Sequence, residues 1–325
     1  MNYNCNLSCR HCRVLPKERV CKNMTYDFAI NVINQLSGLD VPIVTFTGGE
    51  PTIFNKLIDL VEYTIQKGIK PRLQTNFTNI DKLFLDKFVN LGGRIISVSI
   101  DGLEETHNNT RGKDGLFQKI IALISKYSNV ISFQADLVLS KRNQSEVYML
   151  IDKLQTIGVK VFSFRSIVPV IEGDIIDNYD FSKEELFKIY KDIHKKTDKF
   201  EGIKIVSPDP LYNIFKIIDK NIIHDGTIMG GCSIGLGLLS IQPNGDVLSC
   251  TFINKPLGNL HKENLKNIIK KINDDEFIHN VLLRENIKKC STCKYKYLCG
   301  GCRARALHFS DNILEEDPLC FIDML

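Results

Sequence analysis

Three thiols stand close together near the start of the chain: Cys5, Cys9 and Cys12 in "CNLSCRHC", with His11 just before the last. Thiolates at this spacing are soft metal ligands. A tetrahedral zinc site or a complete iron–sulfur cluster wants four protein donors, so this set is one ligand short. Seven more cysteines crowd the other end: Cys232, Cys250, Cys290, Cys293, Cys299, Cys302 and Cys320. None lies from residue 22 to 231. A disulfide framework is the alternative use of 11 cysteines. Short C-x-x-C spacings and a long cysteine-free middle favour metal ligation instead. The chain opens with polar Asn-Tyr-Asn-Cys and no secretory signal, so the expected compartment is the cytoplasm.

Such ligands need a scaffold. Short apolar runs recur at 43–48, 70–76, 94–101, 131–140 and 159–167, near the ~30-residue spacing of a βα unit. Between them Phe28, Val32, Ile33 and Leu36 share one helical face, and Leu57, Val61 and Ile65 another. The pattern predicts an α/β fold with a parallel sheet, either a partial (β/α) barrel or a doubly wound sheet. Polar and glycine signals fall where the runs end: "TGGEP" (47–51), "QTN" (74–76) and "SIDG" (99–102). That is the edge where parallel α/β folds place their sites. A lone Gly-Gly is more often a turn and a lone strand-end Asp a cap; three successive strand ends beside a thiol group carry more weight.

Further along, "VIEGDIIDNYD" (170–180) reads as a linker and "GLLSIQPNGDVLSC" (237–250) as a hairpin around Asn244-Gly245. "KENLKNIIKKI" (262–272) reads as a basic amphipathic helix. With 42 Lys and Arg against 38 Asp and Glu, the net charge is +4. That does not predict a nucleic-acid partner, which needs a concentrated basic stripe. No apolar run is long enough to span a bilayer.

C-x3-C-x2-C followed by a strand ending in Gly-Gly-Glu-Pro resembles the radical S-adenosylmethionine (SAM) enzyme superfamily, over essentially the whole chain. The resemblance implies a partial (β/α)6 barrel over 1–200 and a small α+β auxiliary-cluster domain over 201–325. Cys5, Cys9 and Cys12 would bind three irons of a [4Fe–4S] cluster, and SAM would chelate the fourth. Reductive cleavage of SAM would then give a 5′-deoxyadenosyl radical able to abstract hydrogen from unactivated carbon, chemistry that acid–base side chains do not provide. Gly48, Gly49 and Glu50 would receive the methionine amino group, through backbone oxygens and the Glu50 carboxylate. Ser99 and Asp101 are implied as ribose contacts, and Asn76 as a further candidate on that rim. His11 occupies the place of an aromatic beside the adenine; its alternative is a surface histidine. "HNNTRG" (107–112) resembles a family segment, with no role attached to His107 or Arg111. Only "MNYN" stands where the family has a full strand, implying a very short strand or a start further upstream.

The later cysteines are similar to the SPASM extension of radical SAM enzymes, which holds two auxiliary [4Fe–4S] clusters. By that analogy Cys290, Cys293, Cys299 and Cys320 complete an outer cluster. Cys232, Cys250 and Cys302 hold an inner one that is a thiolate short, leaving an open iron or a non-cysteine ligand. The usual pattern has three residues between the last two cysteines of the middle block; here there are two, Gly300 and Gly301. A zinc ribbon is the competing use of paired C-x2-C motifs. Cys21 is left without a partner set.

The leading functional expectation is a maturase that modifies a ribosomally made peptide. The alternative is tetrapyrrole side-chain chemistry, because "CNLSCRHCR" and "CGGCRARA" with "EEDPLC" also look like heme-forming and heme d1-forming relatives. A non-catalytic iron–sulfur electron carrier is a third class, against which the Gly-Gly-Glu motif speaks. Implied partners are a peptide or small-molecule substrate, a flavodoxin- or ferredoxin-type electron donor and, for a peptide, a separate recognition protein.

Overall fold

The computed structural model describes residues 1–9, 11–12, 14, 23–168, 181–219 and 230–325. The expected linker at 170–180 and Cys21 lie outside them. Strands β1 (Ile43–Phe46), β2 (Lys70–Thr75), β3 (Ile95–Ser99), β4 (Ser132–Leu139), β5 (Val161–Ser166) and β6 (Lys204–Val206) form one sheet in that order. Every neighbouring pair is parallel, and β1 and β6 do not pair, so the sheet is an open, partial barrel. Helices supply the crossovers that parallel strands require. They are α1 (Tyr26–Ser37) before β1, then α2 (Leu57–Gln66), α3 (Lys82–Asn90), α4 (Glu104–Arg111), α5 (Leu116–Tyr127), α6 (Val147–Thr156) and α7 (Lys183–Lys196) between successive strands.

The alternation within strands decides between the two architectures the periodicity allowed. On β4, Phe133, Ala135, Leu137 and Leu139 are buried in the core shared with the helices, while Gln134 and Asp136 between them are half-buried. β2 and β5 repeat this with Leu73 against Arg72 and Gln74, and with Phe164 against Arg165. A doubly wound sheet is apolar on both faces; this one has a polar face, the concave lining of a barrel. β6 lies beyond residue 200, so the barrel sheet runs into the stretch assigned to the auxiliary unit. Three residues, "KIV", are too short a run to stand out by periodicity.

After α8 (Pro210–Asp219), strands β7 (Ser240–Ile241), β8 (Asp246–Leu248) and β9 (Pro256–Asn259) form a small antiparallel sheet. The expected hairpin turn is present, with Gly245 at φ +88°, where L side chains are disfavoured. Helix α9 (Leu265–Ile272) buries Leu265 and Ile268 with Val247 and with Val32 of α1. Helices α10 (Glu276–Leu282) and α11 (Arg303–Ser310) enclose a second small apolar cluster with Ile234, Ile253 and Ala304. Among the described residues no helix is long and apolar enough to cross a membrane.

Candidate active site

The loop after β1 is built around the start of the chain. The amides of Gly49 and Glu50 donate to the carbonyls of Asn2 (2.7 Å) and Asn4 (2.8 Å), and the Met1 ammonium donates to the Thr47 carbonyl. A short backbone pairing thus stands where the family has a full strand. It explains the two glycines: a Cβ on Gly48 would lie 2.2 Å from the Asn2 oxygen, and one on Gly49 2.0 Å from the Asn4 oxygen. The Gly-Gly pair lets two backbones touch, and so holds the cysteine loop at the strand edge.

Glu50 departs from expectation. Its side chain is fully buried. One oxygen accepts from the Thr52 amide and hydroxyl and from the Thr75 hydroxyl, and the other from the Asn76 amide. The carboxylate therefore ties the end of β1 to the end of β2. Asn76, so positioned, donates to Cys5 Sγ (3.6 Å) and to the Asn6 side chain (3.0 Å). Its Nδ2 thus reaches the cysteine loop, while its Oδ1 accepts from the Thr78 amide and hydroxyl.

Asp101 departs similarly. It is 1% exposed, and its carboxylate accepts from the Arg111 guanidinium, with His11 Nε2 3.6 Å away. Burial alone would raise this carboxyl, but Arg111, His11 and His107 hold it below the usual range. Oδ2 takes the Arg111 bond, and Oδ1 is buried without a hydrogen-bond partner among the described residues. Arg111, to which the sequence attached no role, also donates to Cys9 Sγ (3.5 Å). Burial raises the Cys9 thiol, and Arg111 opposes that. His11 is largely buried, not a surface histidine, and burial lowers its pKa. The His107 ring accepts from the Asp101 amide at Nδ1, so its proton sits on Nε2, and burial pushes its pKa down to about 4. Ser99 ends β3 opposite Asp136 of β4.

Beside this cysteine loop the concave face of the sheet is lined with charge. The Arg72 guanidinium donates twice to Ser97 Oγ, and Gln134 donates to Asp136. Burial raises the Asp136 carboxyl, with Arg72 and Arg165 opposing. Arg165 acts electrostatically on His11 on one side. On the other it stacks on the Phe252 ring at 4.7 Å. The Phe252 amide in turn donates to Cys250 Sγ. Arg165 therefore spans the space between the N-terminal cysteine loop and the auxiliary domain.

The C-terminal thiols separate into two groups. Cys290, Cys293, Cys299 and Cys320 line one cavity together with Gly300, Gly301 and Arg303. Cys232, Cys250 and Cys302 pack around the apolar cluster of Ile234, Ile253 and Ala304. The glycines between Cys299 and Cys302 are required by crowding. A Cβ on Gly300 would fall 1.8 Å from Arg284 Nη1, and one on Gly301 2.7 Å from Asp317 Cβ, and both residues have positive φ. All ten described cysteines are free thiols. Burial pushes Cys290 up to about 11 and Cys302 to about 12. At these two positions metal ligation has to displace a proton. No three His, Cys, Asp or Glu side chains among the described residues are placed to hold a single ion; the outer four ring a cavity instead. Around it Arg284 Nε and Arg303 Nε and Nη2 are buried without hydrogen-bond partners among the described residues. A ring of thiols faced by orphaned cationic donors fits an anionic cluster.

The fold and the thiol sets define an α/β partial-barrel metalloenzyme with an auxiliary iron–sulfur domain. Residues 1–154 match the radical SAM superfamily, and residues 232–294 match SPASM, an iron–sulfur cluster-binding domain. The chain is a radical SAM enzyme with a C-terminal SPASM domain, and its cofactors are [4Fe–4S] clusters and SAM. It is similar to the AdoMet-dependent heme synthase of Methanosarcina barkeri (28% identical over 97% of this chain and 93% of that protein). It is also similar to the antilisterial bacteriocin subtilosin biosynthesis protein AlbA of Bacillus subtilis (23% identical, 95% of this chain and 67% of that protein). In fold it resembles Streptococcus suis SuiB bound to S-adenosylmethionine (TM-score 0.79, 18% identical, 99% of this chain and 76% of that one).

Proposed function

We propose that this enzyme removes hydrogen from a side chain of a carboxylate-bearing substrate, and that the substrate is a tetrapyrrole. The observation that carries this reading is Arg165: a guanidinium from the polar face of the barrel, standing between His11 and the Phe252–Cys250 segment. With Arg72 of β2, across β3 and β4 on the same sheet, it gives the chamber fixed cations of the kind that bind carboxylates in paired hydrogen bonds. Along nearly its whole length the chain is also similar to a heme synthase.

In this reading Cys5, Cys9 and Cys12 hold the SAM cluster. Cys290, Cys293, Cys299 and Cys320 hold one auxiliary cluster, and Cys232, Cys250 and Cys302 the other. The backbone oxygens of Gly48 and Gly49, with Ser99 and His11, form the SAM pocket. Glu50, Asn76 and Asp101 act behind it, fixing the strand ends and the cysteine loop. SAM held there, with an electron from a flavodoxin- or ferredoxin-type donor, would supply radical chemistry able to take hydrogen from carbon. Arg165 and Arg72 hold the substrate carboxylates. Phe252 brings the substrate against the Cys250 set, a short path for an electron leaving the substrate.

A ribosomal peptide is the second reading, supported by the similarity to AlbA. Anaerobic incubation with SAM and reductant, offering a side-chain-deuterated propionate porphyrin or a cysteine-containing peptide, separates the two. Deuterium appearing in 5′-deoxyadenosine together with a lighter porphyrin is the expected result. A modified peptide with unchanged porphyrin would overturn the tetrapyrrole reading.

A further inference from the structure

Three arginines of the auxiliary domain are almost wholly buried, and they are not alike. Arg284 and Arg303 have no exposed surface, and Arg305 is 1% exposed. Arg305 is matched by two carboxylates, Asp209 at 2.7 Å and Asp317 at 2.8 Å. Arg284 and Arg303 form no ion pair with any described residue. Among the described residues Arg284 donates only to the neutral carbonyls of Gly230, Cys232 and Lys296, and Arg303 only to those of Ile313 and Glu315. Both keep buried N–H donors unused among the described residues.

A guanidinium stays charged in proteins, and a buried charge without a counter-charge is strongly disfavoured. The fold provides carboxylates for Arg305 from both sides, Asp209 after β6 and Asp317 after α11. Of the acids on the cavity wall, Asp317 is committed to Arg305 and Glu316 lies by Lys289. What faces the two unmatched cations is the thiol ring: Arg303 lines the cavity with Cys290, Cys293, Cys299 and Cys320, and Arg284 abuts Gly300 on the same wall. Four thiolates around an oxidised [4Fe–4S] core leave about two net negative charges, and cluster potential follows net charge and hydrogen bonds to sulfur.

We propose that Arg284 and Arg303 are the counter-charges of the cluster held by Cys290, Cys293, Cys299 and Cys320, and that they set its reduction potential. This rests on the ligand set proposed above. Each positive charge favours the added electron, so its removal must make the cluster harder to reduce. Because Arg284 also donates to the Cys232 carbonyl, its reach extends to the other auxiliary set, while Arg303 faces the outer set alone.

The test is a redox titration of the anaerobically reconstituted full chain, followed by electron paramagnetic resonance, with iron analysis. Cys293→Ala identifies the signal of the outer set; if that variant leaves every signal intact, the ligand assignment fails, independently of the arginines. For Arg303→Gln we expect the identified cluster to become at least tenfold harder to reduce, a shift of 59 mV for one electron, with the SAM cluster unmoved. Arg303→Lys is expected to restore most of it. An unshifted potential in a fully loaded Arg303→Gln variant overturns the proposal. If Arg303→Gln fails to load iron, Arg303→Lys decides: loading in the Lys variant supports a role of charge, and loss there too overturns it in favour of shape.

Discussion

Glu50 shows how far a side chain's neighbours can redirect an expectation. The motif around it is plain in the sequence. The Thr52, Thr75 and Asn76 donors that occupy its carboxylate are a matter of how β1 and β2 end, which no local pattern reports. Glu50→Gln is therefore expected to lower stability by about 1–3 kcal/mol, because an amide cannot accept from all four donors. The check is thermal unfolding beside calorimetry of SAM binding; a stable variant with selectively lost affinity would restore the carboxylate as a direct contact. His107 gives a pH signature. Its folded pKa of about 4 lies below the ordinary 6.5, so the unfolded chain binds the proton first. The stability it contributes is full above about pH 6.5 and falls as the pH drops toward 4, by about 2 kcal/mol at pH 5. Unfolding midpoints at pH 5 and 7.5 should converge in His107→Asn relative to the parent. Arg165→Met is expected to raise KM for a carboxylate substrate tenfold or more, the loss of a charge-assisted bond worth ~1.5–3 kcal/mol.

Strand and helix positions followed from period and run length, because half-buried strands in a barrel alternate visibly. The five predicted runs coincide with β1 to β5, and the hairpin and basic helix with β7, β8 and α9. What escaped was whatever depends on contact across sequence. β6 is too short to announce itself, and the pairing of residues 1–4 with 47–50 joins segments that share no pattern. The cysteine spacings were plain in the sequence and their division into sets was implied by the family resemblance, whereas Arg111, Arg284 and Arg303 became visible only when burial was known. A buried arginine and an exposed one look the same in a sequence. At Gly49 an added methyl has nowhere to go, since its Cβ would meet the Asn4 oxygen at 2.0 Å. Gly49→Ala should shift the Met1–Asn4 segment, and with it Cys5, and cost iron at the first cluster more than at the others. Iron content and the cluster spectra read this directly; unchanged loading would mean the segment moves without moving the cysteines.

The barrel and the auxiliary domain meet at a buried junction. Arg305 of α11 pairs with Asp209, which precedes α8, and with Asp317, and donates to Ser166 at the end of β5. Tyr190 of α7 donates to Asp209, and the Cys302 amide donates to Asp317. Breaking a buried pair from one side leaves an uncompensated charge, so Asp209→Asn is expected to cost about 3–5 kcal/mol and to speed hydrogen exchange on both sides of the junction. Exchange confined to one domain would show that the junction does not couple them. In the proposed ligand assignment, SAM cleavage depends on the three N-terminal thiols. The direct measurement is 5′-deoxyadenosine formed by reconstituted enzyme with SAM and reductant, for the parent and for Cys5→Ala, Cys9→Ala, Cys12→Ala combined. The parent should produce it, and the triple variant should produce none while retaining about two-thirds of the iron, the auxiliary share of three clusters. 5′-Deoxyadenosine from the triple variant, or none from a fully loaded parent, would contradict the assignment.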